Sequence, residues 1–348
     1  MRSSTDVSDP FSLRRPAAVE LDSDAPIESA LAELARMPSQ GGLLEVGRRQ
    51  VKVSHLDKLI WPGDRISKRD LLAYHLRMST FLLPHLRGRA VVLRLFPDGI
   101  EGKSFWRRSV PETAPRWIPR WRARPGTPTI CPLFQEPGAL VWAANQGAID
   151  IHPWHSRRDR PTQPDWAAFD LDPSPGADFG QVVQVARMVK DALDQLGLSS
   201  VLKTTGQKGL HIYVPIRRGP DQDQVRAWVG ELAHQLFDAA PQLITETWTV
   251  RDRKRLVRID YTQNVVGKTL VSAYSPRPLP GGLVSTPLAW EELDDLDPAA
   301  FHLSAVLERV RARGDLFQAV LAGRQRLPEL KRKAGGGPSP GGPQLVNP

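Results

Sequence analysis

Strand-like and helix-like segments follow one another irregularly along this chain, and their order limits the fold more than any other feature of the sequence. Apolar residues at helical spacing predict helices at ISKRDLLAYHLRMSTFLLPHL, FGQVVQVARMVKDALDQLG and DQVRAWVGELAHQLFDA, with a further helical segment near 299–321. Ser67 is predicted to cap the first helix, Pro84 to end it, and Gly197 to end the second. Strand-rich segments follow the second and third helices. Because the regular alternation of a doubly wound sheet is missing, we predict an α+β fold with mixed or antiparallel sheets flanked by helices.

Composition divides the chain into three segments. Residues 1–43 are polar and contain proline, with one amphipathic stretch, IESALAELARM, and are predicted to form an accessory arm. Residues 44–325 are predicted to be the folded domain, beginning with the strand-like LLEVGRRQVKVSHLD. Residues 326–348 are basic and rich in glycine and proline, so they are predicted to be a disordered tail.

The sequence gives no sign of export or membrane insertion. It has no run of eighteen apolar residues, and its first residues, MRSSTDVSDP, lack the basic start and apolar stretch of a signal peptide. The single cysteine, Cys131, excludes an internal disulfide and a cysteine-rich zinc site, and it is predicted to be a small buried residue. A cytoplasmic protein without a membrane partner is the prediction.

Clustered positive charge indicates a polyanionic partner. The net charge is +9, and seven Lys and Arg against one acid lie between Lys103 and Arg124, interleaved with tryptophans that include Trp106. Five bases against one acid lie between Arg251 and Arg258. Either cluster alone is also typical of a solvated basic face. Rings among arginines favour nucleic acid, which is held by stacking and phosphate neutralisation, so we predict that Arg107 and Arg253, one from each cluster, contact DNA.

Two carboxylates at the end of an apolar segment predict a metal site. In WAAFDLDPSP, Asp170 and Asp172 project from the same face of a predicted strand, and two adjacent anions are stabilised by a shared cation. Asp260, in LVRIDY, is the candidate third member. Three carboxylates on adjacent strands can hold two Mg²⁺ or Mn²⁺ ions about 4 Å apart, as in phosphoryl transfer. A D-x-D pair alone is also typical of caps, turns and exposed charges.

The segment KTTGQKGLHIYVP has the properties of a phosphate-binding loop. Gly206 and a second glycine allow a tight turn with exposed N–H groups, and Thr205 and Lys208 add a hydroxyl and a charge. It differs from a Walker A loop because it leads into a strand instead of a helix. His211 and Tyr213 share one face of that strand. An isolated histidine there is more often a buried core residue, but beside this loop His211 is a candidate contact for a triphosphate.

Polar residues in two further segments are candidate nucleotide contacts. Gln263 and Lys268 follow Asp260, and Arg277 lies in a stiff Ser-Pro-Arg-Pro turn. His152 stands with a second histidine beside three arginines in IHPWHSRRDRP, a pattern that favours phosphate contact over metal binding. Each of these residues alone is also typical of an exposed polar surface.

Taken together and in this order, the motifs resemble a known family. DWAAFDLDPSPG, LKTTGQKGLHIYVP and RIDYTQN followed by GKTLVSAYSPRP are similar to the polymerase module of bacterial end-joining DNA ligase D, in the archaeo-eukaryotic primase superfamily. The resemblance covers about four-fifths of the chain. It implies a primase-polymerase core that adds nucleotides, often ribonucleotides, to 3′ ends in short gaps or at broken ends during end joining. NTP or dNTP and DNA with a 5′-phosphate are then the expected ligands.

The resemblance also assigns roles to individual residues. It implies metal binding by Asp170, Asp172 and Asp260. It implies nucleotide contacts by Thr205, Lys208, His211, Gln263, Arg277 and His152, template contacts by Phe105 and Trp106, and binding of the downstream 5′-phosphate by Lys58 and Lys68. The residues agree on the last point, because Pro62 and Gly63 bend the chain between the two lysines and bring them toward the start of a helix, where an anion is favoured.

Departures from the family pattern shape the expected partners. Thr205 stands where a serine is common, and no K-x-D-G ligase signature is present, so a stand-alone polymerase with a separate ligase and a Ku-like end-binding protein is expected. A location in the cytoplasm with the bacterial nucleoid follows. Two alternatives stay open: an aspartyl phosphatase of the D-x-D type, which Ser174 and the basic clusters oppose, and a non-catalytic DNA-end-binding protein of primase-like fold.

Overall fold

The computed structural model describes residues 25–123 and 128–330, and within them helices and strands are interspersed. The α-helices are α1 (Ala25–Arg36), α2 (Lys68–Leu86), α3 (Pro137–Asn145), α4 (Phe179–Gln195), α5 (Gln222–Ala239) and α6 (Leu303–Arg313). The strands are β1 (Gly41–Val46), β2 (Arg49–Ser54), β3 (Leu59–Trp61), β4 (Ile66–Ser67), β5 (Val91–Leu95), β6 (Phe105–Arg107), β7 (Arg120–Arg122), β8 (Ile130–Pro132), β9 (Ala148–Pro153), β10 (Trp166–Pro173), β11 (Val201–Thr204), β12 (Leu210–Pro215), β13 (Ile244–Thr245), β14 (Val257–Ile259) and β15 (Pro287–Leu288).

The largest sheet has six strands in the order β13-β14-β10-β12-β11-β15. All neighbours are antiparallel except β13 and β14, which are parallel. Alternation along β10 divides its side chains between two cores. Phe169 and Leu171 are buried in one core with residues of α4 and α5, whereas Trp166 and Ala168 face a second core. The predicted α+β fold with mixed and antiparallel sheets is confirmed.

A smaller sheet lies across the second core. It has the strand order β6-β5-β9 and packs with α2 and α3, while two-stranded pairs β1-β2, β3-β4 and β7-β8 complete this part of the chain. Tyr213 of β12 belongs to the same apolar cluster, so the cluster joins the two sheets. The polar face of β10 therefore looks toward the small sheet, and this arrangement creates the site described below.

Helix α2 begins as predicted but ends later. Ser67 Oγ accepts the N–H of Asp70, and the Asp70 carboxylate accepts the N–H of Ser67, which is a complete capping box. The helix continues through Pro84 to Leu86, so the predicted end at Pro84 is wrong. Proline removes one helical hydrogen bond, but Leu83 and Leu86 on either side are buried, and their burial outweighs that cost.

Other boundaries also differ from the predictions. The helix predicted near 299–321 is shorter, because Gly314, with a φ of 68°, ends α6 and only a turn of 3-10 helix follows. Helix α3 has no counterpart among the predictions. The predicted boundary at residue 44 falls inside β1, and α1 packs Ile27, Leu31 and Leu34 into the second core. Cys131 is buried as predicted.

Parts of the predicted terminal segments lie outside the described residues. These are residues 1–24 of the predicted arm and 331–348 of the predicted tail. Among the helices that the structure does describe, none has the length and apolar character needed to cross a membrane.

Candidate active site

The three predicted carboxylates lie side by side on neighbouring strands. Asp170 and Asp172 are on β10, and Asp260 directly follows β14, where its N–H donates to the carbonyl of Asp170 over 2.7 Å. Burial, together with the charge of Asp260, raises the pKa of Asp170 to about 7. A carboxylate with so high a pKa is one whose negative charge the surrounding residues do not fully compensate.

Each carboxylate lies within 3.2 Å of a basic side chain. Arg253 Nη1 is 2.9 Å from Asp172 Oδ2, and Arg258 Nη2 is 3.2 Å from Asp260 Oδ1. His211 Nε2, opposite Asp170 in the β10–β12 pairing, is 3.2 Å from Asp170 Oδ1. In the described part of the chain, no three His, Cys, Asp or Glu side chains converge as a preformed metal site. The hard oxygen donors suit Mg²⁺ or Mn²⁺, but Asp172 and Asp260 are now turned toward arginines.

A buried lysine supports His211 from the side away from Asp170. Lys203 Nζ is 2.9 Å from His211 Nδ1 and donates to Ser285 Oγ over 2.6 Å. Burial lowers the pKa of Lys203 well below its usual value, and burial with the charge of Lys203 does the same to the pKa of His211. With Nδ1 accepting from the lysine, the N–H at Nε2 is directed at Asp170. Sequence reasoning missed Lys203, because nothing in VLKTT marks a lysine as buried.

The predicted phosphate loop is a tight turn between β11 and β12. The Thr205 N–H donates to the Gly209 carbonyl over 3.0 Å, and Thr205 Oγ1 accepts the N–H groups of Gln207 and Gly209. Gly206 has a φ of 68°, and a Cβ there would lie 2.5 Å from Arg277 Cγ and 2.9 Å from a backbone nitrogen, so only glycine fits. Lys208 is exposed at the tip of the turn.

Arg277 and Gln263 reach the site from separate loops. Arg277 Nη1 donates to the carbonyl of Thr205 over 2.7 Å, which attaches the Ser-Pro-Arg-Pro turn to the phosphate loop. Gln263 Nε2 donates to Asp260 Oδ2 over 3.0 Å. Lys268, the third predicted contact in this part of the sequence, is exposed. Asn264, which follows Gln263, is buried, and its side-chain amide donates a hydrogen bond to the carbonyl of Ala168 and accepts one from the N–H of Ala168.

The small sheet faces these groups with histidine, aromatic rings and an acid. His152 of β9 meets the edge of Trp106 of β6 at a ring-centroid distance of 4.9 Å. Trp106 and Phe105 are 50% and 45% exposed, a large exposure for such rings. Asp150, two residues before His152 on the same face of β9, was not predicted; the alternation in AIDIHP is the signal that pointed to it.

Two of the predicted basic contacts are less accessible than their sequence context indicates. Arg253 is 5% exposed and holds Asp172, and its guanidinium also donates to the carbonyls of Thr247 and Trp248. Arg107 is half-buried above the ring of Phe105. His155, which shares the motif of His152, is a core residue that accepts a hydrogen bond from the indole N–H of Trp166. His155 is only 2% exposed, so it is not available to contact a phosphate, and burial lowers its pKa to about 3.

The two lysines predicted to bind a 5′-phosphate lie together at the start of α2. The N–H of Lys68 donates to the carbonyl of Lys58 over 2.8 Å. Lys58 Nζ is 2.7 Å from Asp98 Oδ1, while Lys68 Nζ donates to the carbonyl of Asn145 over 3.1 Å. Burial and the charge of Lys58 lower the pKa of Lys68. Two adjacent cations, one of them buried, form a site that an anion would stabilise.

Comparison with known proteins places this arrangement in a family. The family model described as LigD, primase-polymerase domain, matches residues 67–317. The chain is 32% identical over 282 residues to the multifunctional non-homologous end joining DNA repair protein LigD of Mycobacterium tuberculosis, covering 78% of this chain and 37% of that protein. It is 33% identical over 288 residues to the multifunctional non-homologous end joining protein LigD of Pseudomonas aeruginosa, covering 81% of this chain and 34% of that protein.

A solved structure shares the fold. The polymerase domain from Mycobacterium tuberculosis Ligase D in complex with DNA has a TM-score of 0.73 against this chain at 31% identity, covering 79% of this chain and 99% of that chain. The chain thus matches about a third of the length of the two curated relatives, but nearly all of this solved domain. The matched residues contain the three carboxylates, the phosphate loop and the Ser-Pro-Arg-Pro turn. This chain belongs to the LigD primase-polymerase domain family.

Proposed function

We propose that the chain is a template-dependent nucleotidyltransferase that adds nucleotides, with a preference for ribonucleotides, to 3′ ends in short gaps or at broken ends of DNA. The observation that carries the proposal is the adjacency of Asp170 and Asp260 on paired strands, with the phosphate loop one strand away. Family membership supports the class of reaction. The ribonucleotide preference rests on the resemblance alone.

The carboxylates Asp170, Asp172 and Asp260 are proposed to hold two Mg²⁺ or Mn²⁺ ions. When bound, such ions stabilise the attacking and leaving oxygens of an in-line displacement at phosphorus. The donor set fits, since all three side chains supply hard oxygens and Asp170 carries poorly compensated charge. Asp172 and Asp260 would have to leave Arg253 and Arg258 to take part.

The nucleotide is proposed to lie between the two sheets. Lys208 and the backbone of the loop that contains Gly206 would contact the triphosphate, and Arg277, Gln263 and Lys268 would approach it from the loops after β14. His211 would orient Asp170 and stand beside the phosphates. His152 would contact the nucleotide from the small sheet. Thr205 would contact it from the opposite side, in the turn between β11 and β12 of the large sheet.

DNA is proposed to cross the small sheet and end at α2. The solved relative is a complex with DNA, and the exposed rings of Phe105 and Trp106 suit stacking on template bases. Arg107 and Arg253 are proposed to contact DNA, the latter after release from Asp172. Lys58 and Lys68 would hold the 5′-phosphate beyond a gap. A Ku-like protein and a separate ligase are the proposed partners, in the cytoplasm with the nucleoid.

One extension assay tests the proposal. The substrate is a gapped duplex with a 5′-phosphate, offered with each NTP or dNTP and with Mg²⁺ or Mn²⁺. Templated addition is expected, faster with NTP. A protein that binds the gapped duplex but adds no nucleotide under any condition would be the non-catalytic end-binding protein instead. Family membership leaves the aspartyl-phosphatase alternative without support.

A further inference from the structure

Asp150 is a buried acid that the proposed reaction does not use. It lies on β9, is 1% exposed, and pairs in register with Arg94 of β5. Its neighbours Ile149 and Ile151 point to the opposite face, into the second core. The carboxylate therefore projects from the small sheet toward the phosphate loop of the large sheet, close to His152 and Arg277.

The carboxylate of Asp150 is poorly satisfied. Oδ1 is 3.0 Å from Arg277 Nε, an ion pair without well-directed hydrogen bonding. Oδ2 is 3.9 Å from His152 Nε2 and 4.0 Å from Arg94 Nη1, and no described residue donates a hydrogen bond to it. A buried carboxylate left in this state costs free energy of folding. The ion pair with Arg277 offsets only part of this cost, which points to a role beyond stabilising the fold.

Arg277 is the group that Asp150 affects most directly. Its N–H donates to the carbonyl of Leu283, Nη1 donates to the carbonyl of Thr205, and Nε faces Asp150. The guanidinium is thus held between a backbone carbonyl of the large sheet's loop and a carboxylate of the small sheet. These two contacts hold the guanidinium between the sheets and leave its other N–H donors unassigned among the contacts described.

We propose that Asp150 is a positioning residue that acts through Arg277. It holds the guanidinium at the place where the remaining N–H donors can meet the phosphates of the incoming nucleotide. It thereby links that contact to the small sheet, which carries the rings proposed to face the template. The inference rests on the proposed function, because it assumes a nucleotide between the sheets. A merely structural ion pair joining two sheets is the competing explanation, and it predicts loss of stability without a specific effect on the nucleotide.

A double-mutant cycle separates these explanations. Asp150→Ala, Arg277→Ala and the double variant are compared for the KM and kcat of nucleotide addition on a gapped duplex, and for ATP binding with Mg²⁺ by calorimetry. Asp150→Ala is expected to raise KM and weaken ATP binding about tenfold, with a smaller effect on kcat and none on DNA affinity. In the Arg277→Ala background, the same change is expected to have almost no further effect. Asp150→Asn keeps the shape and one acceptor oxygen, so its effect should be intermediate.

Asp165→Asn is the matched control. Asp165 is also a buried carboxylate paired with arginine, but its partners are Arg89 and Arg157 and it lies at the other end of β10. This variant is expected to lower the unfolding temperature while leaving the nucleotide KM unchanged.

Two results would overturn the role of Asp150. One is a full additional loss from Asp150→Ala in the Arg277→Ala background; the other is a lowered unfolding temperature with unchanged KM and ATP affinity. The calorimetric measurement of ATP binding separates failure of this inference from failure of the proposed function. If the wild type binds ATP but never extends DNA, the proposed polymerase activity fails, and the cycle on ATP affinity still decides the role of Asp150. If the wild type neither binds nor extends, both fail.

Discussion

The buried charges at the two ends of β10 differ in how completely they are paired. Just before the strand, Asp165 accepts two hydrogen bonds from Arg89, of 2.6 and 2.7 Å, and one from Arg157 of 2.9 Å. Arg89 is fully buried, stacks on Trp166 at 3.6 Å, and gives its other donors to backbone carbonyls. The carboxylate of Asp165 and the buried guanidinium of Arg89 both have hydrogen-bond partners, and the arginines, against the effect of burial, keep the pKa of Asp165 below its usual value.

At the far end, the charges are crowded and incompletely matched. The pKa of Asp170 rises to about 7 because of burial and Asp260, and burial lowers the pKa of Lys203 and His211. Such a set destabilises the fold unless a ligand completes it, whereas the Arg89 cluster needs nothing further. Buried charge with a full set of partners is typical of a structural ion pair, whereas buried charge without sufficient partners makes the far end of β10 the better candidate for a functional site.

The largest expected effect is on catalysis at the crowded end. Asp172→Ala or Asp260→Ala should reduce nucleotide addition about a thousandfold or more, roughly 4 kcal/mol, because each removes a proposed metal ligand. DNA affinity should change little, because the basic clusters hold the DNA. Each variant also removes the ion pair of a buried arginine, Arg253 or Arg258, so a moderate fall in the unfolding temperature is expected as well. Extension assays and DNA titrations at one salt concentration measure both. Near wild-type extension by either variant would remove the metal assignment.

The next effect is on stability at the matched end. Asp165→Ala leaves Arg89 charged, buried and without its carboxylate, and should lower the free energy of unfolding by about 3–5 kcal/mol. Denaturant unfolding of this variant beside Asp172→Ala gives the direct comparison. If Asp172→Ala proves the more destabilising of the two, the distinction between the ends of β10 fails.

The pH dependence should also have opposite sign at the two ends. A carboxyl with a folded pKa near 7, above its unfolded value near 4, holds its proton better in the folded state, so its ionisation lowers stability as pH rises from about 4 to 7. Asp165, with a lowered pKa, contributes stability that is present above its unfolded pKa and lost as pH falls through its folded pKa.

Asp170→Asn removes the loss of stability that comes from ionisation of Asp170. In chelator-containing buffer, it should be more stable than wild type at pH 8, by on the order of 1–3 kcal/mol, with the difference disappearing near pH 4. Urea unfolding at both pH values provides the measurement. A constant difference between the two proteins at every pH would show that Asp170 ionises normally.

The smallest expected effect concerns Lys58 and Lys68. Here the charge without a full set of partners is positive, because Lys68 Nζ donates only to a backbone carbonyl. The double change Lys58→Ala, Lys68→Ala should slow filling of 5′-phosphorylated gaps severalfold, because a terminal phosphate completes the pair. Extension of a primer-template without a downstream strand serves as the control and should hardly change. A wild-type protein indifferent to whether the gap carries a 5′-phosphate or a 5′-hydroxyl would contradict this use of the pocket.

The sequence predicted local features well. The alternation that puts Asp170 and Asp172 on one face, the Ser67 cap and the tight turn at Gly206 all depend on a few consecutive residues. Placing Asp260 beside Asp170 depended further on reading LVRIDY as a strand that pairs with the first.

Features that depend on distant partners were not predictable. Nothing local shows that Lys203 is buried against Ser285, or that Arg253 turns back onto Asp172, 81 residues earlier. The end of α2 also depends on distant partners, because tertiary packing keeps the chain helical through Pro84.

The central position of β10 has a consequence for how the protein is made. Its partners, β12 and β14, both come later in the chain, and β14 begins at Val257. A growing polypeptide that ends shortly after β10 therefore contains Asp170 and Asp172 but has neither neighbouring strand to hold them. The candidate site therefore cannot assemble until the chain has been synthesised past β14, and this slow, non-local pairing still has to form after that point.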